Sequence, residues 1–262
     1  MGKSLRELTV EKWRKEFEPL VENIRQVKLV DPYVASDCTL IRRLYRGPSD
    51  FLFLEAGCGT ARVSLILAKN GAQVVGLDIV KEALLVGRKL FKHEDVQGQF
   101  LLGDILHLPF KGDVFNVIFC GGSIEHFEDT IRGLRELVRV LRKDGLLIAT
   151  VPLVSLSTLI YNQFYGNTPD LPVIRRLTLF FHHQVLKGKY MKYGFEKSFT
   201  KQGICKIFRE AGLSDVEAGP YETTLSLNLI GNPFMKKVIR RLARFHFFWP
   251  AVWVKGQRQS GL

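Results

Sequence analysis

The stretch Glu55-Ala56-Gly57-Cys58-Gly59-Thr60, directly after Asp50-Phe51-Leu52-Phe53-Leu54, limits the folds open to this chain more than any other. It reads as a buried strand running into a glycine-rich turn and then a helix, Arg62 to Lys69. Two glycines let the backbone approach a ligand closely, because no Cβ intervenes and positive φ costs little. A strand, a Gly-x-Gly turn and a helix N-terminus make a nucleotide-type site in a Rossmann-like α/β fold. A dinucleotide fingerprint asks for a third glycine, where this chain has Arg62, and an acid, Glu55, stands two residues before the first glycine. A carboxylate there repels phosphate and attracts an ammonium group. The expected ligand therefore carries a cation where NAD carries phosphates, as S-adenosylmethionine does.

The following segments fit that reading. Ala72 to Ile79 is a second apolar strand ending in Asp78, 19 residues after Gly59, where a carboxylate can take hydrogen bonds from ribose hydroxyls. Gln99 to Ile105 is a third strand, with Asp104 near its end and Leu108-Pro109-Phe110 beyond. Asp113 to Ser123 is a fourth, running into small residues. The pattern predicts a helix over Asp129 to Lys143, with Ile131, Leu134, Val138 and Leu141 on one face and Gly145 just beyond. Leu146 to Pro152 is the fifth strand. A helix from about Thr200 to Ala211, then strands over Leu213–Ala218 and Ala251–Lys255, complete the sheet.

On the Glu55-x-Gly57-x-Gly59 loop, Gly76-Leu77-Asp78, Gly103-Asp104-Ile105 with Leu108-Pro109-Phe110, Ser123-Ile124-Glu125-His126-Phe127 and Leu137 to Gly145, the chain resembles the class I S-adenosylmethionine-dependent methyltransferases. Within them it is similar to the small-molecule branch called methyltransferase type 11. The resemblance covers about residues 50–152, with a weaker continuation over 194–222. Asn116 stands where Asp is frequent in that branch, and Asp144 where Pro or Gly is usual; both fall at turn or strand-start positions. The resemblance implies that Gly57 and Gly59 pass under the methionine moiety and that Glu55 helps hold its ammonium. It implies Asp78 on the ribose diol, Ile79 on the adenine face, Asp104 and Ile105 at the adenine edge, and Cys120 with Gly121 beside the methionine tail.

The expected architecture is a Rossmann-like, seven-stranded, mostly parallel sheet with helices on both faces, N-terminal helices and a lid insert after strand five. The expected division is an N-terminal helical cap (1–48), a cofactor-binding core (49–152), an aromatic and basic lid (153–199) and a C-terminal completion of the sheet with a basic amphipathic helix (200–262). Trp13, Phe17, Leu20, Val21 and Ile24 recur at helical spacing in the cap; such a stripe packs, or closes over a site. Asp31-Pro32-Tyr33 fits an N-cap and first turn. The lid segment is too long for a passive loop and too aromatic for disorder.

Charge divides unevenly. Residues 1–152 sum to +2, 153–201 to +5, 202–230 to −2 and 231–262 to +7. The basic helix after Asn232-Pro233, with Phe247-Phe248-Trp249 beyond, reads either as a covering helix with a solvated face or as a surface for anionic lipid headgroups or an acidic substrate. Nucleic acid is disfavoured: Cys120-Gly121-Gly122-Ser123 stands where a base-amine methylase carries Asn/Asp-Pro-Pro-Tyr, and no RNA-binding module is evident. Four cysteines without metal-ligand spacing and the lack of a secretory signal point to a cytoplasmic chain, with peripheral contact at the inner membrane face as one reading of the tail. No metal site is expected.

The reaction expected from these residues is methyl transfer from S-adenosylmethionine to a small-molecule, lipid or glycan acceptor, O- or C-methylation being favoured. His126, just past the fourth strand, is the leading general base, with backbone bonding at a helix start as its structural alternative; His182 and His183 come second. A nicotinamide oxidoreductase and a non-catalytic adenosylmethionine-binding protein are the competing functions.

Overall fold

The computed structural model describes residues 4–154, 167–169, 180, 195–221, 241 and 249–259. Helix α1 (Leu5–Glu22) opens on a capping box: Ser4 Oγ accepts the Glu7 N–H, and Glu7 Oε2 accepts the Ser4 N–H. Helix α2 (Pro32–Leu44) starts as expected, with Asp31 Oδ1 accepting the Val34 N–H and Pro32 in the first turn, where a missing N–H costs nothing. The chain then alternates through β1 (Leu52–Ala56), α3 (Arg62–Ala68), β2 (Gln73–Asp78), α4 (Lys81–His93), β3 (Gln99–Leu102) and β4 (Phe115–Gly121). A 3₁₀ turn, Ile124–His126, leads into α5 (Thr130–Val140) and β5 (Leu141–Pro152). Strands β6 (Asn167–Pro169) and β7 (Glu196–Ser198), helix α6 (Lys201–Glu210), and strands β8 (Leu213–Tyr221) and β9 (Ala251–Arg258) follow.

The main sheet has seven strands in the order β3-β2-β1-β4-β5-β9-β8. Five are parallel, and β9 runs antiparallel to both β5 and β8. The mostly parallel Rossmann-like sheet is thus as expected. Parallel β6 and β7 make a separate pair that sequence reasoning did not anticipate. Each face of the main sheet carries its own core. Leu54, Ile118 and Cys120 lie on one with Leu134, Leu137 and Phe208 of α5 and α6. Phe53, Val117 and Phe119 lie on the other with Ile41, Leu65 and Leu84 of α2, α3 and α4. The division follows from the two-residue period of a strand, which sends neighbours to opposite faces.

Element boundaries differ from the expected ones in places. The α5 helix ends at Val140 rather than Lys143, and β5 begins at Leu141, pairing with Phe115 before the register shifts. Asp144 takes positive φ, 58°, a turn conformation that Asp tolerates better than most residues. The third strand stops at Leu102, and Asp104 forms an isolated bridge with His107. Asn116 ties the start of the sheet together, its Oδ1 accepting the Leu52 N–H at 2.9 Å. Most of the proposed lid, His182 and His183 included, and the basic helix after Asn232 fall outside the described residues.

Candidate active site

Strand order reverses at β1, since β2 lies on one side of it and β4 on the other. The carboxyl ends of such strands splay apart into a crevice, and here a cavity of about 620 Å³ opens there, roofed by α1. Its floor is the loop after β1. The Gly57 and Cys58 N–H groups donate to the Leu77 carbonyl at 2.8 and 3.0 Å, which folds the loop onto the end of β2. Gly57 and Gly59 both have positive φ, 74° and 51°. A Cβ on Gly57 would stand 2.1 Å from Ser123 Oγ, and one on Gly59 would meet the Phe17 ring at 3.4 Å. The glycines are therefore required by the backbone and by space.

Asp78, at the end of β2, borders the cavity and is buried. Its Oδ2 accepts the Gly59 N–H at 2.7 Å and its Oδ1 the Val80 N–H at 2.8 Å. Burial pushes its pKa up, and these backbone donors hold it down. Two of the roughly four lone-pair sites of a carboxylate are thus in use, which leaves acceptor capacity for a ligand. Ile79 is partly exposed beside it. Gly103, Asp104 and Ile105 form the neighbouring wall, with Asp104 held by Arg6 of α1 at 2.5 Å and by the Leu106 N–H.

Glu55 lines the opposite end. Its Oε2 accepts both the N–H and the hydroxyl of Ser64, at 2.9 and 2.5 Å, so the side chain also caps α3. Burial raises its pKa to about 7 against those hydrogen bonds, and the charge of Asp37 adds to the rise. Asp37 reaches the same cavity from α2; burial pushes it to about 7 although the Tyr221 hydroxyl donates to it at 2.7 Å. Arg62, the residue at the third glycine position, also borders the cavity and is held by Asp31 at 2.5 Å and by the Lys28 carbonyl.

Cys120 and Gly121 are placed differently: the Cys120 side chain is fully buried in the core on the α5 side, whereas Gly121 borders the cavity. Strand alternation puts Phe119 and Gly121 on the cavity side and sends the thiol away.

His126 borders the cavity beside Trp13, whose ring meets it edge-on at 6.1 Å. Its Nδ1 lies 2.5 Å from the Phe195 carbonyl oxygen. A carbonyl only accepts, so Nδ1 carries the proton and Nε2 keeps the lone pair. Burial lowers its pKa against the opposing effect of that bond, which favours the neutral ring. The backbone bond offered as the structural alternative is present, and it turns the second ring nitrogen away from Phe195.

Asp37, Tyr221 and Thr9 escaped sequence reasoning. Asp37 and Tyr221 are single polar residues 184 positions apart, and only the fold brings them together. Among the described residues no three His, Cys, Asp or Glu side chains are grouped to hold a metal ion.

Residues 54–149 match the family model described as a methyltransferase domain. The chain carries a methyltransferase domain over these residues and acts as an S-adenosylmethionine-dependent methyltransferase. Its methyl donor is S-adenosylmethionine, and the oxidoreductase and non-catalytic alternatives give way. The methyltransferase is 27% identical over 197 residues to a demethylmenaquinone methyltransferase of Alkalihalophilus pseudofirmus, covering 69% of this chain and 77% of the relative. It is 32% identical over 124 residues to the methyltransferase GfsG of Streptomyces halstedii, covering 45% of each. Among solved structures, the magnesium protoporphyrin IX methyltransferase of Synechocystis, with bound S-adenosylhomocysteine, shares the fold at a TM-score of 0.56 and 16% identity, over 86% of this chain and 82% of that one. No helix among the described residues is long and apolar enough to cross a membrane.

Proposed function

We propose that this methyltransferase transfers a methyl group to a ring-bearing, apolar hydroxyl acceptor of the quinol type, on the hydroxyl oxygen or the carbon beside it, with His126 as general base. The observation that carries this is the placement of His126, its Nδ1 bonded to the Phe195 carbonyl so that Nε2 bears the lone pair of the neutral ring, in a cavity whose roof presents Trp13 and Phe17. Apolar aromatic walls suit a planar ring better than a glycan, and several relatives are named demethylmenaquinone methyltransferases.

The cavity residues fit the methyl donor. In this reading Gly57 and Gly59 supply a floor that any Cβ would fill. Asp78 keeps acceptor capacity for the ribose hydroxyls, Ile79 offers an apolar face to the adenine, and Asp104 and Ile105 meet its edge. Gly121 flanks the methionine end, where Glu55, with Asp37 beside it, receives the ammonium. The bound donor supplies an electrophilic methyl on sulfonium, displaced in line. Much of the rate comes from holding donor and acceptor in reach and excluding water. His126 Nε2 takes the acceptor hydroxyl proton, which places electron density on the oxygen and on the adjacent ring carbon. Transfer to oxygen is then complete, whereas transfer to carbon leaves a ring C–H whose proton is lost to solvent as the ring regains aromaticity, so one base starts either methylation.

An isoprenoid acceptor resides in a bilayer, and the +7 charge of residues 231–262 supports a peripheral contact with anionic lipid. Incubation with methyl-labelled donor and reduced demethylmenaquinone, beside a panel of sugars and phenols, tests the acceptor. Label in the quinone and in no sugar supports the reading; label only in a glycan overturns it. Sedimentation with anionic and neutral vesicles tests the lipid contact, and equal binding to both removes it.

A further inference from the structure

The N-terminal helix does more than roof the cavity. Thr9 is the buried residue within α1 and it is polar. Its hydroxyl donates to the Leu5 carbonyl at 2.9 Å and accepts the Phe195 N–H at 2.8 Å. That donation fixes the hydroxyl proton and aims a lone pair at Phe195. The carbonyl of the same Phe195 accepts from His126 Nδ1. Phe195 is itself buried, and the strand that follows it is pegged by Lys197, whose ammonium donates to Thr130 Oγ1 and the Glu128 carbonyl. Three elements distant in sequence thus meet at one residue.

We infer that Thr9 is a positioning residue, acting through Phe195 to hold His126 in the Nδ1–H tautomer, so that the base is competent only when α1 is seated. This rests on the proposed role of His126. The physical reason is that the two bonds to Phe195 engage different peptide planes, its N–H on one side and its carbonyl on the other. Together they fix the residue's rotation. Without the Thr9 bond the Phe195 N–H lacks its partner in α1 and the carbonyl loses its fixed aim. The imidazole then relaxes toward the Nε2–H tautomer that free histidine prefers, which has no lone pair facing the acceptor. Charged groups on the surrounding elements include Arg6, Glu7, Glu11 and Arg14 on α1, Glu125 in the 3₁₀ turn, Glu128 and Asp129 after it, Arg132 on α5, Glu196 and Lys197 on β7, and Asp104 across the cavity. The influences on the ring's proton affinity are nonetheless burial and the Phe195 bond.

The test compares full-length wild type, Thr9→Val, Thr9→Ala and Thr9→Ser. Long-range ¹H–¹⁵N spectra of the histidine rings, with His126→Gln to assign the signal, report the tautomer directly. Methyl transfer is followed across pH. Wild type and Thr9→Ser should show Nδ1–H. Thr9→Val should show mixed tautomers and a kcat lower by roughly ten- to a hundred-fold that raising the pH does not recover, with KM for the donor little changed. Thr9→Ala keeps the comparison open should valine disturb the fold. A His126 tautomer unchanged in both hydroxyl-free variants overturns the inference. The two failures are distinguishable: full activity in His126→Gln with a shifted tautomer in Thr9→Val removes the base and leaves the coupling. An inactive His126→Gln with an unshifted tautomer does the reverse.

Discussion

Asp78 Oδ2 and the Gly59 N–H, 19 residues apart in sequence, lie 2.7 Å apart at the floor of the cavity. The acid that closes β2 therefore also holds the glycine loop that follows β1, and one side chain shapes both the floor and the end of the site proposed for the ribose.

Replacing Asp78 should accordingly cost more than one ligand contact. Hydrogen bonds to a charged group contribute about 1.5–3 kcal/mol each, so Asp78→Ala should weaken S-adenosylhomocysteine binding by roughly a hundred-fold or more. Asp78→Asn should lose less, since its carbonyl can still accept the Gly59 N–H. Calorimetric titration of both variants measures this. Alanine binding within threefold of wild type contradicts the assignment.

Gly57 makes a second, independent case. A methyl at this position meets Ser123 Oγ at 2.1 Å and Ser123 Cβ at 2.9 Å, on a backbone at φ 74°. Positive φ costs a non-glycine residue about 1–2 kcal/mol, and the clash adds to it. Gly57→Ala should lower the urea midpoint and abolish ligand binding. Adding Ser123→Gly should restore some stability by opening space, yet leave the backbone strain. Equal stability of Gly57→Ala and wild type contradicts the argument.

Asp37 and Glu55 set a pH dependence of stability. Both carboxyls have pKa values raised to about 7 in the fold, well above their unfolded values. Between the two values the folded state binds more protons than the unfolded one, so stability falls as pH rises toward and through 7. The lowered pKa of His126 acts oppositely, removing stability as pH falls below 6.5. Asp37→Asn isolates the acid term, because asparagine can still accept the Tyr221 hydroxyl. Its advantage over wild type should be near zero below pH 4 and grow to at most about 4 kcal/mol by pH 8, at roughly 1.36 kcal/mol per pKa unit. Urea unfolding at pH 4, 6 and 8 reads the trend, and an advantage that shrinks with pH contradicts it.

The sheet and the glycine floor were legible because their signals are local. Five apolar runs at strand length, two glycines after the first and an acid after the second are patterns of neighbouring residues. That the Cys120 side chain and Gly121 part company was less legible, since adjacency in a strand means opposite faces. Asp37, Tyr221 and Thr9 were illegible for a different reason: their partners stand 184 and 186 residues away, and no periodicity encodes such a meeting. The β6–β7 pair was missed because each strand has three residues, too few for any pattern. His126 lay between these cases. Its position after β4 was readable, whereas the bond to Phe195 that fixes its proton was not.

Two titrations should be separable in the kinetics. The ammonium of the donor favours ionised Glu55, so kcat/KM for S-adenosylmethionine should rise through a limb near pH 7. That limb should vanish in Glu55→Gln, whose carbonyl can still serve Ser64. With donor and acceptor saturating, Glu55 is already ionised by the bound ammonium, and kcat should follow His126 alone. Its limb should fall below pH 6.5, because burial disfavours the imidazolium, with a plateau above it. His126→Gln should remove that limb and lower kcat by roughly 10²–10⁴, the range expected when a general base is lost. A kcat limb that persists in His126→Gln would assign the proton to another group, whereas a kcat/KM limb that persists in Glu55→Gln would place the ammonium on Asp37 alone.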